Sequence, residues 1–256
     1  MGKVIVITSG KGGTGKTFFT ANMGALLALR GKKTVLLDMD MGLRNLDLYL
    51  GLENNVVYNV MDVLSGMCRI RQALIRDRRF ADLCLISASP TRDDRDITPL
   101  HMEILCEKLQ KRFDYILIDS PAGLGDGLTL AAAAADQAVL LSEAEIASVR
   151  DADCVDRMLL EMGLSNRCCV FNKVHGELVA LGAMPGLRAV SRGLRMRIAG
   201  AIQYDENIYL ATNHGIPIVL KQDTYIRRNL SRILDRILAN PDDPLSLRRR
   251  DLAIST

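Results

Sequence analysis

The chain has 256 residues, 48% of them apolar, enough to bury the core of one large α/β domain. Its 33 basic and 30 acidic side chains leave a net charge of +3, so no whole-molecule field marks a nucleic-acid binder, and an anionic partner has to be met by a local patch. The six cysteines contain no C-x-x-C pair and the three histidines stand apart, so neither a zinc site nor a redox dithiol is spelled out and the cysteines read as reduced core residues.

From the N-terminus, KVIVIT (3–8) predicts a strand that runs straight into a glycine-rich loop, unlike a signal peptide. A helix is predicted over 16–30, strands at TVLLDMD (34–40) and LCLISAS (83–89), and a helix over 99–112. Strands follow at YILIDSP (115–121) and QAVLLS (137–142), then a helix over 146–162, and strands at CCVFNKV (168–174) and IAGAIQYD (198–205). In a last helix over 225–239, Ile226, Leu230, Ile233, Leu234, Ile237 and Leu238 recur at helical spacing, and NPDDP (240–244) stops it. The strand runs lack apolar/polar alternation, as strands buried on both faces do. They predict an α/β fold with a doubly wound, mostly parallel sheet flanked by helices. Without internal repeats or a linker, residues 1–239 read as one domain and 240–256 as a C-terminal tail. No run approaches the ~20 apolar residues that span a bilayer, so the protein is expected to be soluble or peripheral.

Between the first strand and first helix, Gly10, Gly15, Lys16 and Thr17 satisfy G-x-x-x-x-G-K-[ST]. Such a loop, completed here by Gly12, Gly13 and Thr14, turns backbone N–H groups onto phosphate oxygens, and the helix behind it adds the positive end of its dipole. Lys16 then reaches the β and γ phosphates and the Thr17 hydroxyl binds Mg²⁺. A second carboxylate for the metal belongs at the end of another buried strand, where Asp119 stands, although a turn role alone is the alternative. Asp38 and Asp40 end the second strand and face the same crevice. Lys11 cannot easily fold back onto its own nucleotide, because the backbone there curls around the phosphates. It points outward, where a partner's nucleotide is a suitable target.

KGGTGKT (11–17) resembles the deviant Walker A loop of the MinD/ParA ATPases. DMDMGLRNLDLYLGLENNVVYNVMDVL (38–64), RIRQALIRD (69–77), ISASPTRDD (86–94), DYILIDSPAG (114–123) and SEAEIASVRDADCVDRML (142–159) follow in the order of the MinD branch, covering about residues 2–220. The resemblance implies ATP and Mg²⁺ as cofactors and an ATP-dependent sandwich homodimer in which Lys11 contacts the ATP of the facing subunit. It also implies that Lys16 holds phosphate, Asp40 positions or activates the attacking water, and Thr17 and Asp119 serve the metal. Gly123 would sense the γ-phosphate, and Asn172 and Asp205 would read adenine. Ser148, Arg150, Asp151 and Asp153 fall where a MinC-like inhibitor and a MinE-like activator compete in that branch; a solvated helix face is the alternative. The implied role is placement of the division site by a cytoplasmic protein that is peripheral on the inner face of the cell membrane.

The sequence departs from the branch in four places. Phe18 replaces a second Thr, leaving only its backbone N–H for the α-phosphate at a cost on the order of 1 kcal/mol, and Gln203 replaces a Pro near the base site. Arg188, Arg192 and Arg195 fall at i, i+4 and i+7 with Arg197 beyond, a helical face suited to lipid headgroups or DNA phosphates, or simply to solvent. The tail LSLRRRDLAIST (245–256) places Leu245 and Leu252 opposite Leu247 and Ile254 at ~100° per residue, so the branch's amphipathic membrane helix is degraded. Two other readings follow from these departures: a ParA- or FlhG-like ATPase acting on DNA or flagellar placement, and a nucleotide-gated binding module without turnover.

Overall fold

Alternation, invisible in the strand sequences, appears once the chain is folded. In a computed structural model, Val4 and Val6 of β1 (Lys3–Thr8) face one apolar layer while Ile5 and Ile7 face another. That is the period-two pattern of a strand covered on both sides, with both faces apolar. The structure describes residues 1–91, 97–183 and 186–239. The tail 240–256, with its proline stop and its helical wheel, lies outside them, as do residues 92–94 of the ISASPTRDD segment and the side chain of Arg188.

After β1 come α1 (Lys16–Leu29), β2 (Thr34–Asp38), α2 (Leu46–Tyr49), α3 (Val60–Leu64), α4 (Ile70–Ala73), β3 (Ile75–Arg76) and β4 (Leu83–Ile86). Next are α5 (Pro99–Gln110), β5 (Tyr115–Asp119), α6 (Asp126–Ala132), β6 (Gln137–Glu143), α7 (Ile146–Glu161) and β7 (Arg167–Val174). The chain continues through α8 (Gly176–Ala180), α9 (Leu187–Ser191), β8 (Arg197–Gln203), α10 (Glu206–Asn213) and α11 (Tyr225–Leu238). The strands form one sheet in the order β3-β4-β2-β5-β1-β6-β7-β8, parallel except for the two-residue β3 at one edge. Helices α1 and α11 cover one face through Phe19, Met23, Leu27, Leu230, Ile233 and Leu234; α3, α5, α6 and α7 cover the other through Met61, Leu105, Leu128 and Val155. All six cysteines are free thiols, and Cys84, Cys106, Cys168 and Cys169 are buried.

Four strands end earlier than predicted, at Asp38, Ile86, Asp119 and Gln203 rather than at 40, 89, 121 and 205. At the first of these ends the Asp38 carboxylate accepts the Asp40 N–H at 3.0 Å and turns the chain out of the sheet. Asp205 likewise leaves β8 and caps α10, accepting the Asn207 N–H at 2.8 Å. The predicted arginine face does not form: α9 ends at Ser191, Arg192 is its C-cap, and Arg197 begins β8, where its guanidinium donates to the Arg236 carbonyl. Gly193 breaks the run between Arg192 and Arg195, as a glycine in a helix interior tends to do.

Helix α11 closes one face of the sheet, with Ile233 1% exposed against β8. Ile233→Ala is expected to lower unfolding stability by roughly 2–5 kcal/mol, read as a lower urea midpoint with an unchanged slope; a loss below about 1 kcal/mol would mean that α11 is dispensable to the core.

Candidate functional site

Strands β1, β2 and β5 end side by side. Across the sheet Ile7 pairs with Asp119, and Asp119 pairs with Asp38. The chain leaves β1 as the glycine loop and enters α1 with Gly15 at φ 92 as its N-cap, no side chain capping the first turn and no acidic residue in it. The N-cap glycine therefore offers the first N–H groups of α1 no capping side chain, and the first turn itself carries no acidic residue, the condition of an anion site at a helix N-terminus.

Lys16 is 7% exposed, its ammonium donating to the Ser9 hydroxyl at 3.0 Å. Burial lowers its pKa, while Asp119 and Asp40 raise it. Asp119 is buried, with the Thr17 hydroxyl close enough to act on it and the Thr20 hydroxyl donating to it at 3.3 Å. Burial pushes its carboxyl up to about 6, opposed by Thr17 and Lys16. The neighbouring Asp38 is pushed up to about 8 by burial and then by Asp119, although the N–H groups of Asp40 and Leu46 bond to it. Asp40 follows it in the loop, close enough to act on Lys16, Asp38 and Asp119. Lys16, Thr17, Asp40 and Asp119 are thus brought together, as the sequence pattern requires. A threonine hydroxyl and one carboxylate are hard oxygen donors of the type that suits Mg²⁺, which takes few protein ligands and keeps water and phosphate oxygens for the rest.

Lys11, Gly12 and Gly13 are exposed and Thr14 is buried. Gly10 lies against α7: a Cβ on it would fall 2.6 Å from Asp151. Gly123, at φ 92, donates its N–H to the Ser9 carbonyl at 2.9 Å and so ties the turn after β5 to the loop. The Phe18 ring is buried in the core layer beneath α1, which accounts for an apolar residue there. Asn172 is 4% exposed and donates its amide to the Thr14 carbonyl at 2.7 Å. The Asp205 carboxylate accepts from the backbone and side-chain amides of Asn207 in α10, and the adjacent Tyr204 ring stacks on His175 at 4.6 Å.

In α7, Ser148 is turned inward. Its hydroxyl accepts the Glu143 N–H at 2.9 Å and lies 3.0 Å from the Ser142 hydroxyl, which fastens the helix to the end of β6. The expectation that Ser148 meets a partner is corrected by that burial. Arg150 is exposed, Asp151 packs beside Gly10, and Asp153 pairs with Arg157 at 3.0 Å. Sequence reasoning missed Ser9, Thr20, Glu143 and Lys173. Lys173 donates to the Gly13 carbonyl at 2.6 Å and pairs with Glu143 at 3.1 Å. Ser9 and Thr20 flank the motif by one and three residues, so the motif itself points to them; Lys173 carries no such signal.

Residues 5–218 match the CobQ/CobB/MinD/ParA nucleotide binding domain family. A putative septum site-determining protein MinD of Oltmannsiellopsis viridis is 46% identical over 221 residues, 86% of this chain and 70% of that protein. The fold superposes on the MinC:MinD cell division protein complex of Aquifex aeolicus with a TM-score of 0.86 and 38% identity, covering 94% of this chain and 98% of that one. It also superposes on the septum site-determining protein MinD complexed with Mg-ADP from Pyrococcus horikoshii, with a TM-score of 0.82 and 27% identity over 93% and 96% of the two chains.

Raised carboxyl pKa values set the pH behaviour of the ligand-free protein. A carboxyl whose pKa rises on folding stabilises the fold while protonated; that contribution is complete below the ordinary value near 4 and is lost as pH rises through the folded values of about 8 for Asp38 and about 6 for Asp119. The melting temperature is expected to fall by a few degrees between about pH 5 and about pH 8. A level ligand-free profile would contradict the buried acid cluster.

Proposed function

The chain belongs to the CobQ/CobB/MinD/ParA family of nucleotide-binding proteins, and from that membership we propose that it is a MinD-type ATPase serving placement of the division site. One observation carries the reading: the glycine loop, the buried Lys16 and the strand-end Asp119 are assembled at the carboxyl ends of the central strands in a chain alike to septum site-determining proteins along most of its length. The activity is hydrolysis of ATP to ADP and phosphate.

The N–H groups of residues 10–17 and the Lys16 ammonium hold the phosphates. Thr17 and Asp119 hold Mg²⁺, which neutralises developing charge on the phosphate oxygens when bound. Asp40 orients the attacking water and takes its proton on the carboxylate. Gly123 meets the terminal phosphate, the Phe18 N–H meets the first, and Asn172 and Asp205 read the base. Positioning and charge account for catalysis of this kind, since phosphoryl transfer asks little covalent work of the protein. Residues 1–239 act as one ATPase domain.

Lys11 is exposed beside the loop, free to supply charge to the nucleotide of a second copy. Hydrolysis then waits for an ATP-bound homodimer, and the enzyme works as a timer of assembly. Arg150, Asp151 and Asp153 on α7 offer a surface to a MinC-like inhibitor and a MinE-like regulator. Among the described residues no helix is long and apolar enough to cross a membrane. The protein is cytoplasmic in this reading, and residues 240–256, paired in the dimer, give it a weak peripheral hold on anionic membrane.

Lys11→Ala separates the cis and trans roles of the loop. It is expected to leave nucleotide affinity of the monomer within about 2-fold while abolishing the ATP-dependent dimer in light scattering and the ATPase with it; each tenfold change is about 1.4 kcal/mol. A dimer that persists in this variant excludes the trans lysine. Misplaced septa in cells lacking the protein, scored by microscopy, test the division role.

A further inference from the structure

Neighbouring side chains on a regular strand point to opposite faces, yet Asn172 and Lys173 at the end of β7 both reach the glycine loop. Two irregularities make this possible. The register of β7 against β8 slips between Phe171 and Val174, and Lys173 sits at φ 54, a left-handed backbone unfavourable for a side chain of its kind. Asn172 then donates to the Thr14 carbonyl at 2.7 Å and Lys173 to the Gly13 carbonyl at 2.6 Å. Glu143, the β6 neighbour of Asn172, holds the ammonium at 3.1 Å. Backbone strain kept at the edge of a binding site calls for a gain elsewhere.

A trans peptide sets its C=O and the following N–H on opposite sides of the chain. When Lys173 draws the Gly13 carbonyl toward β7, the Thr14 N–H is turned away from β7; when Asn172 draws the Thr14 carbonyl, the Gly15 N–H is turned likewise. Gly13 and Gly15, at φ 79 and 92, let the chain make that turn, and a Cβ on Gly15 would fall 2.3 Å from the Asn172 amide.

From this geometry we infer that Lys173, braced by Glu143 and working beside Asn172, is a positioning residue that presets the loop's N–H groups toward phosphate before any ligand arrives. The inference rests on the ATPase reading and adds to it a role for residues outside the loop motif. Its ligand class is the polyphosphate moiety, independent of the base.

The test titrates the full-length chain with inorganic tripolyphosphate and with Mg-ATP by calorimetry, in the wild type, Lys173→Gly and Lys173→Arg. Glycine accepts the left-handed backbone and lacks the amine, so Lys173→Gly is expected to melt no lower than the wild type without ligand. It should nevertheless bind both ligands roughly 5- to 10-fold more weakly, by similar factors, as fits the loss of one partly exposed charge-assisted hydrogen bond. Lys173→Arg, which keeps the charge and the donors, should stay within about 2-fold. Unchanged affinity in Lys173→Gly overturns the inference. A loss for Mg-ATP with none for tripolyphosphate also overturns it, because Lys173 would then act on the base. Stability and affinity falling together in Lys173→Gly would reduce the contact to a structural one and overturn it as well. A wild type that binds neither ligand overturns the ATPase reading and this inference with it; wild-type binding with an unaltered variant leaves the ATPase reading standing and removes only the brace.

Discussion

A loop that turns its amides onto phosphate has to leave its carbonyls facing something else, because each peptide unit carries the two groups on opposite sides. Here the carbonyls are taken by the fold. The Ser9 hydroxyl donates to the Lys11 carbonyl at 2.8 Å, Lys173 to Gly13 and Asn172 to Thr14, while the Gly123 N–H takes the carbonyl of Ser9. Those partners come from the ends of β1 and β7 and from the turn after β5. Only a parallel sheet brings the carboxyl ends of such distant segments to one edge, so the strand order with β1 between β5 and β6 is a requirement of the loop as much as a consequence of apolar burial.

The electrostatics follow from the same convergence. Three aspartates and one buried lysine meet where three strands end, and without a ligand the positive charge is insufficient for the negative. Asp38 and Asp119 respond by holding protons more tightly than an exposed carboxyl. They do not share one role. Both oxygens of Asp38 are occupied, by the N–H groups of Asp40 and Leu46, so Asp38 shapes the loop that carries Asp40. Asp119 instead accepts from the Thr20 hydroxyl of the loop helix, a side-chain contact that a cation could replace without disturbing the backbone.

The buried strands and long helices were legible because each carries a local signature: apolar runs for two-sided strands, helical spacing in α11, and a loop motif between a strand and a helix. What escaped was non-local. The short β3 carries too few residues for a pattern, and the ends of β2 and β8 were overrun because aspartates that look like strand ends also act as caps. The arginine stripe at 188–197 matched helical spacing as a string, but the chain turns at Gly193 and sends Arg197 into the sheet. Ser148 read as surface because it sits in a charged stretch, while the helix phase points it inward at β6. Lys173 was invisible for a different reason: its contact depends on a register slip that no spacing rule encodes.

The same contacts give α7 a direct line to the nucleotide loop. Ser148 takes the N–H of Glu143, the Glu143 carboxylate holds Lys173, and Lys173 holds the Gly13 carbonyl. One turn further along, Asp151 packs so closely on Gly10 that no Cβ fits between them. Two points of the loop, on either side of Lys11, are therefore fixed to one helix. These contacts are the material link between the inner face of α7 and the two ends of the glycine turn, and Arg150 lies on the opposite, exposed side of the same helix. The contacts bridging loop and helix come from one helix face and from residues at the tips of β6 and β7, where the sheet ends.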